Sequence, residues 1–151
     1  MAHESTLGQD VELTFVGPYY DISVASNGDI KTKSSFDTTI ITSLFTEARA
    51  SKDQVVIPEN RRGWIGSHNE EFILGSTLWV YGQLRNRKVE LNELSTIARL
   101  SLKHMIEDNI AKKITASINI EDNKAVLTIR IERPNNQVDY RHYELWDNTG
   151  V

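Results

Sequence analysis

The chain has 151 residues, 17 Lys and Arg against 21 Asp and Glu, a formal net charge of -4 and no cysteine. This length predicts one domain with a useful core. The absence of cysteine excludes disulfides, thiolate metal sites and cysteine nucleophiles. The acidic balance argues against nucleic acid as a partner, because such binders usually show a basic face.

Membrane and cofactor sites also find no support in the sequence. No apolar run approaches the ~20 residues of a membrane span. The first five residues lack the basic and apolar regions of a signal peptide, so a cytoplasm is the expected site of synthesis. The four histidines are scattered without metal-ligand spacing, so no metal and no cofactor is expected.

The N-terminal third predicts short strands followed by a helix. Residues 1–10 form an expected N-terminal arm, and residues 11–16 alternate apolar and polar side chains as a half-buried strand does. Residues 19–25 read as a second extended stretch, and the Asn27-Gly28 turn leads to a short returning strand at 30–33.

A helix is predicted to open at residues 34–37, where Ser34 and Asp37 resemble a capping box, and to fade near Arg49. Its apolar positions follow the helical repeat: Phe36, Ile40, Ile41, Leu44 and Phe45. Residues 50–70 then form a long connection, and loops of that length are more often functional than idle.

Two helices and three strands are predicted beyond the connection. The first helix spans residues 70–84 and places Gly75, Ser76 and Trp79 on one stripe with Phe72. The second runs from about Leu94 to Ile110, with Lys112 and Lys113 near its C-terminal end. The last part alternates with period two and forms a meander of strands at 114–120, 126–131 and 138–146.

The predicted fold is therefore α+β, a mainly antiparallel sheet with two to three helices packed on one face. Residues 11–146 form the expected single domain, and residues 147–151 form a C-terminal tail.

The loop at residues 60–66, Asn-Arg-Arg-Gly-Trp-Ile-Gly, admits two interpretations. Neither Arg61 nor Arg62 has an obvious acidic neighbour in sequence, and Trp and Arg dominate interface hot spots, which favours a docking surface. The alternative is a structural turn, in which Trp64 fills the edge of the core and the arginines bind nearby carbonyls.

Catalytic signatures are few. The sequence has no phosphate-binding glycine loop and no Gly-x-Ser-x-Gly elbow. Glu59 with Glu70 or Glu71 is the best available carboxylate pair for a glycosidase-like site. His68 could act as a base, but no nucleophile or orienting partner is identifiable near it. The chain is expected not to be an enzyme, with a lysozyme-like cell-wall hydrolase as the alternative.

Three motifs together resemble one family, the small baseplate protein of Mu-like contractile-tailed phages. Residues 44–50, Leu-Phe-Thr-Glu-Ala-Arg-Ala, look like its Leu-Phe-Thr-Asp-x-Arg-Ala signature. Residues 60–66 look like its Asp-Arg-Arg-Gly-Trp-Trp-Gly loop, and residues 74–79 look like Leu-Gly-Ser-x-Leu-Trp. Asn60 and Ile65 depart from the pattern. The loss of the acid at Asn60 implies that Arg61 or Arg62 must find its partner elsewhere, for example on another chain.

The resemblance implies a structural subunit that initiates the sheath in a virion tail baseplate assembled in the host cytoplasm. Its implied partners are baseplate wedge proteins, the tail tube or hub, and a sheath subunit, with several copies held in a ring. A cytoplasmic peptide-binding adaptor is a further alternative. The residues expected to bind partners lie in the loop, the following helix and the last strand: Arg61, Arg62, Trp64, Trp79, Tyr140, Tyr143 and Trp146.

Overall fold

The computed structural model describes residues 9–16, 19–67, 73–83 and 91–147, which contain seven strands, four α-helices and a 3-10 helix at Ile65–Ser67. The chain divides into two compact units, Met1–Thr42 and Ser43–Val151. The architecture is α+β with antiparallel sheets, as the sequence pattern predicted. None of the described helices is both long and apolar enough to cross a bilayer.

The first unit contains two small antiparallel ribbons. Their strands are β1 (Asp10–Val11), β2 (Leu13–Val16), β3 (Tyr19–Ile22) and β4 (Thr32–Lys33), and β1 pairs with β4 while β2 pairs with β3. The predicted turn is confirmed, because Gly28 has a φ of +89° and Val24 pairs with Ile30 across it. A positive φ at this position suits glycine, which has no Cβ to clash with the backbone.

Helix α1 spans Asp37–Phe45. Its start agrees with the prediction, and the Ser35 hydroxyl accepts a hydrogen bond from the Asp37 N–H at 3.1 Å. Four residues of the predicted apolar face are buried as expected, whereas Phe45 is 38% exposed: Phe36, Ile40, Ile41 and Leu44. The predicted end near Arg49 is wrong. The helix stops at Phe45 because the following backbone groups bond to a distant segment instead of to the preceding turn.

The second unit is built on a three-stranded meander in the order β5-β6-β7. Its strands are β5 (Lys113–Glu121), β6 (Lys124–Glu132) and β7 (Val138–Asp147). Asp122 and Asn123 both have positive φ, 48° and 63°, as a two-residue hairpin with a right-handed strand twist requires. The predicted meander is confirmed, and β7 is an edge strand among the described residues.

Strand β6 is the centre of the core in this unit. Its alternate residues are completely buried: Ala125, Leu127, Ile129 and Ile131. Helices α3 (Leu91–Ser101) and α4 (Lys103–Glu107) contact β5. Leu94 and Ala98 on α3, Met105 on α4 and Leu102 between the two helices are also completely buried. The helices therefore cover the same face of the sheet that β6 buries, as an amphipathic helix on a half-buried sheet does.

Two predicted helices differ from the structure. The helix expected at 70–84 is confirmed only as α2 (Leu78–Gln83). Residues 73–77 are not helical, because Gly75 has a φ of +104° and Ser76 forms a β-bridge with Glu47. An α-helix needs negative φ at every residue, so a single left-handed residue ends it.

The single helix expected between Leu94 and Ile110 is instead two helices, separated at Leu102, where φ is -100° and ψ is 1°. Lys112 and Lys113 do not lie near the C-terminal end of this helix as predicted, because α4 ends at Glu107. Lys113 begins β5, and the Lys112 ammonium lies 3.6 Å from a carboxylate oxygen of Glu132.

Truncation of Ile129 to Ala tests whether β6 is the centre of the core. Ile129 is completely buried, and its truncation is expected to lower the free energy of unfolding by about 2–5 kcal/mol. Ile120→Ala on the neighbouring strand is the control, because Ile120 is about half exposed and should cost less than about 1 kcal/mol. Chemical denaturation of both variants measures the difference, and equal losses would contradict this core.

His104 gives the second unit a dependence on pH. Its Nε2 lies 2.8 Å from the buried Ser43 hydroxyl. Burial lowers the pKa of His104, against the opposing effect of the Asp108 and Glu107 carboxylates. The unfolded chain therefore binds the proton more readily, and stability should fall as the pH drops below the unfolded pKa of about 6.5.

His104→Gln should flatten this dependence, because glutamine can still bond to the Ser43 hydroxyl but does not titrate. Urea denaturation at about pH 7.5 and pH 5.5 should show a smaller loss for the variant than for the native chain. A native chain that is equally stable at the two pH values, or a variant with the same loss as the native chain, would disprove the assignment.

Candidate partner-binding site

Residues 46–50, here called the central segment, follow α1 in extended form and bond to the segment before α2. The Ser76 N–H donates to the Thr46 carbonyl and the Ala48 N–H donates to the Ser76 carbonyl, both at 3.0 Å. The Ser76 hydroxyl, which is buried, donates to the Leu44 carbonyl at 2.5 Å. Ser76 therefore satisfies the backbone carbonyls that are left open where α1 ends.

The other side of the central segment bonds to the loop at residues 60–66, here called the Arg-Trp loop. The Trp64 N–H donates to the Glu47 carbonyl at 2.9 Å, and the Ala50 N–H donates to the Arg61 carbonyl at 3.0 Å. The Arg61 side chain adds a bond from Nε to the Ala50 carbonyl at 2.6 Å. The central segment is therefore held on both sides by backbone hydrogen bonds.

Two glycines allow these segments to approach one another. A Cβ on Gly75 would overlap the Thr46 carbonyl, and a Cβ on Gly63 would lie 2.8 Å from the Arg49 Cβ. Both glycines also have positive φ, where a side chain is strained. The close approach at Gly75 therefore occurs in a loop, and not on the helix stripe where the sequence placed this residue.

Arg62 has an acidic partner within the chain. Its Nη1 donates to the Glu47 carboxylate at 2.7 Å, and its guanidinium carbon lies 5.0 Å from the centre of the Trp79 ring. Arg62 therefore finds its acidic partner away from the loop, as expected, and this partner lies in the same chain. Glu47 is distant in sequence but is brought opposite Arg62 by the hydrogen bonds of the Arg-Trp loop.

The two tryptophans occupy different environments. Trp79 is partly buried and donates from Nε1 to the Ala48 carbonyl at 2.9 Å, so its ring is fixed beneath the Arg62 guanidinium. Trp64 is 50% exposed, and its ring lies against the backbone of Gly66, where a Cβ would overlap it. Ile65, the next residue of the loop after Trp64, is 87% exposed. Trp64 is thus an exposed aromatic side chain with a supported ring.

The predicted site residues of β7 differ in how deeply they are buried. Tyr143 is buried, and its ring meets that of Phe45 edge-on at 5.6 Å, so it contributes to packing. Tyr140 is more than half exposed. The side chain of Trp146 lies outside the described part of the structure. Of the seven predicted residues, the structure brings together Arg61, Arg62, Trp64 and Trp79.

Sequence reasoning missed two features of this region. One is Glu47, whose only signal was its place inside the motif at 44–50. The other is an open groove of about 370 Å³ beside the central segment, lined by residues that include Ala48, Ile73, Ile97, Leu100 and His104. The apolar residues Ile97 and Leu100, which lie three residues apart on α3, could have indicated it.

The carboxylates proposed for hydrolysis are not assembled by the described structure. Glu59 is exposed in the long connection, while Glu70, Glu71 and His68 lie outside the described residues. Within the described residues, no three His, Asp or Glu side chains come together as metal ligands would.

Comparison with known proteins identifies the family. The model of the family described as phage protein GP46 matches residues 36–138, a range that contains all three motifs. The Mu-like prophage FluMu protein gp46 of Haemophilus influenzae is 28% identical over 111 residues, covering 72% of this chain and 76% of that protein.

The segments that meet at the central segment are thus parts of one matched region, whose model covers more than half of the chain. The chain therefore belongs to the phage protein GP46 family and is a Mu-like phage protein.

Proposed function

We propose that this protein is a non-enzymatic structural subunit of a contractile-tail baseplate, and that the Arg-Trp loop anchors it to wedge proteins. The family membership and the resemblance of the three motifs to a small baseplate protein support the class of protein. The single observation that carries the binding role is the exposed Trp64, held in place on a loop fixed by backbone hydrogen bonds.

The loop is suited to docking because its exposed groups are already ordered. The Trp64 ring rests on Gly66, and Arg62 is held between Glu47 and Trp79. Ordering a rotamer-rich side chain on binding costs about 0.5–1.5 kcal/mol, so a preformed arrangement keeps more of the contact energy. Tryptophan and arginine are also the side chains most enriched at interface hot spots.

The ion pair with Glu47 changes the role that we propose for Arg62. Because Glu47 already neutralises the guanidinium, the partner need not supply a carboxylate to it. Arg62 instead braces Trp79 and the loop, so the surface offered to a wedge protein is formed chiefly by Trp64 and Ile65. The isoleucine keeps this surface apolar where the family pattern has a second tryptophan.

Strand β7 provides the second proposed contact. As an edge strand of the described sheet it can accept a strand of a sheath subunit, and main-chain hydrogen bonds would supply the affinity. An unprotected edge is an aggregation hazard, so a cognate strand explains its retention. The exposed Tyr140 is the side chain available to such a strand, because Tyr143 faces the core.

The proposed contacts suggest an arrangement in the assembly. We assign wedge proteins to the Arg-Trp loop and a sheath subunit to β7, and we expect the tail tube or hub to contact the protein within the baseplate. Several copies would be held in a ring through the larger partners, in a virion assembled in the host cytoplasm.

Trp64→Ala tests the docking role of the loop. Because Trp64 is half exposed and makes no described side-chain hydrogen bond, the melting temperature should change little. Incorporation into tails, measured by immunoblotting of purified particles, should fall on the order of thirtyfold if the ring is a hot spot. Val56→Ala, at an exposed site in the same connection, is the control. A variant that unfolds but still assembles would show that Trp64 supports the core.

Glu47→Gln tests the bracing role of Arg62. The ion pair is about 40% exposed on both sides, so its loss should change the free energy of unfolding by less than about 1 kcal/mol. Incorporation should nevertheless decrease, because Arg62 and the loop lose their fixed geometry. The pair would have no role in assembly if the variant were incorporated as efficiently as the native protein.

A further inference from the structure

Strand β5 forms the second open edge of the three-stranded sheet. Among the described strands it pairs only with β6, along nine residues in a continuous register. The pairing of β6 with β7 is instead interrupted between Ala125 and Val126. A long, regular and apolar edge is an aggregation hazard, which proteins usually blunt with a bulge, a proline or a central charge. The stretch from Ile114 to Ile120 has none of these devices.

The backbone groups of this edge are open in the described part of the chain. Glu121 and Lys124 pair directly across the two-residue turn, so their peptide groups bond to each other. Because the bonding direction alternates along a strand, the N–H and C=O groups of four residues point away from β6: Ile114, Ala116, Ile118 and Ile120. None of these groups has a hydrogen-bond partner among the described residues.

The two ends of β5 carry opposite charges that the chain does not pair. Lys113 and Glu121 are both exposed, and neither forms an ion pair with a described residue. Their cross-strand neighbours already have ion-pair partners: Glu132 with Lys112 and Arg130, and Lys124 with Glu144. The open edge therefore has a charge of each sign at opposite ends.

This arrangement of charges is complementary to itself. When two copies of β5 pair antiparallel about a two-fold axis at Ser117, Lys113 of each copy faces Glu121 of the other. Moving the axis by one residue in either direction removes both ion pairs, so the charges select one register. The outward backbone groups of the two copies then meet as hydrogen-bonded pairs, because residues of even number face residues of even number.

The apolar side of the strand also gains a neighbour in this register. Ile114 and Ile118 are buried on the face that α3 and α4 contact, whereas Ile120 on the same face is 51% exposed. The axis at Ser117 places Ile120 opposite Ile114 of the second copy. Each copy therefore offers an apolar side chain across the new strand pair to the isoleucine that its own chain leaves half exposed.

We propose that β5 is a self-association edge, which joins two copies of the chain into one continuous sheet about Ser117. The described strands then follow the order β7-β6-β5-β5-β6-β7. Strand β7 stays at both outer edges, so the contact proposed there for a sheath subunit remains available in the dimer. The new contact uses no residue of the Arg-Trp loop.

A single cysteine tests the position of the axis. The native chain has no cysteine, so Ser117→Cys introduces the only thiol. At the axis this residue faces its own copy in a non-hydrogen-bonded pair, whose Cα atoms lie about 4.5 Å apart, within the range of a disulfide. Thr115→Cys is the matched control, because it is exposed on the same face but lies about 13 Å along the strands from Thr115 of the other copy.

Mild oxidation of the full chain should convert Ser117→Cys into a disulfide-linked dimer at least about tenfold faster than Thr115→Cys, as measured by non-reducing electrophoresis. An equal mixture of Thr115→Cys and Asn119→Cys should also cross-link, because these two positions face each other in the register. The three substitutions replace exposed polar side chains and should leave the melting temperature unchanged.

Charge reversal tests the ion pairs. The native chain should show a monomer–dimer equilibrium in sedimentation, with a Kd in the micromolar range. Lys113→Glu or Glu121→Lys places like charges opposite each other at both ends, and should raise the Kd on the order of tenfold at low salt. The double variant Lys113→Glu with Glu121→Lys should restore the native Kd. It keeps both altered neighbours within the chain, so its recovery reports pairing between copies.

Three outcomes would overturn the proposal: a native chain that stays monomeric at about 1 mM, equal disulfide yields from positions 117 and 115, or a double variant that dimerises no better than the single ones. A dimer that forms equally well with every charge variant would place the contact elsewhere and overturn it too. Failure of the Trp64 incorporation experiment would leave these measurements unaffected, because they are made on the chain alone.

Discussion

The backbone hydrogen bonds of the central segment are the interaction on which this structure depends. Residues 46–50 leave α1 and bond on one side to Ser76 and on the other to Arg61 and Trp64. Three parts of the chain that are up to thirty residues apart are thereby fixed in register. Each buried bond contributes only about 0.5–1.5 kcal/mol, but together they decide which side chains can meet. The Arg62 contacts with Glu47 and Trp79 follow from that register.

The same constraint explains how a long loop can present an ordered surface. Loops usually gain rigidity from packing of their own side chains, but residues 61–64 are held by hydrogen bonds to the main chain of the central segment. The glycines at 63 and 75 are the cost of this arrangement, because only a residue without Cβ permits the approach. The Ile65 side chain, which is 87% exposed, takes no part in holding the loop.

The sequence predicted the elements whose signals are local. Period-two alternation and turn residues such as Asn123 identified the meander, and the apolar repeat identified α1 and α3. The failures have a common cause in tertiary contacts: the end of α1, the start of α2 and the break at Leu102 are not marked by local propensity. In the candidate site, the motifs pointed to Arg62 and Trp64. They could not show that Arg62 pairs with Glu47, because only the hydrogen bonds of the central segment bring these two residues together.

The position of Phe36 as the first described buried residue has a consequence for how such a gene can change. Recombination between phages exchanges segments, and most junctions inside a domain separate side chains that pack together. A junction ahead of Phe36 separates none of the described buried residues. Such a junction would nevertheless break the Lys33–Asp37 ion pair and the hydrogen bond from the Thr38 hydroxyl to the Val11 carbonyl, which join the ribbons to α1 within the first unit. An exchanged N-terminal segment would therefore have to supply equivalent contacts.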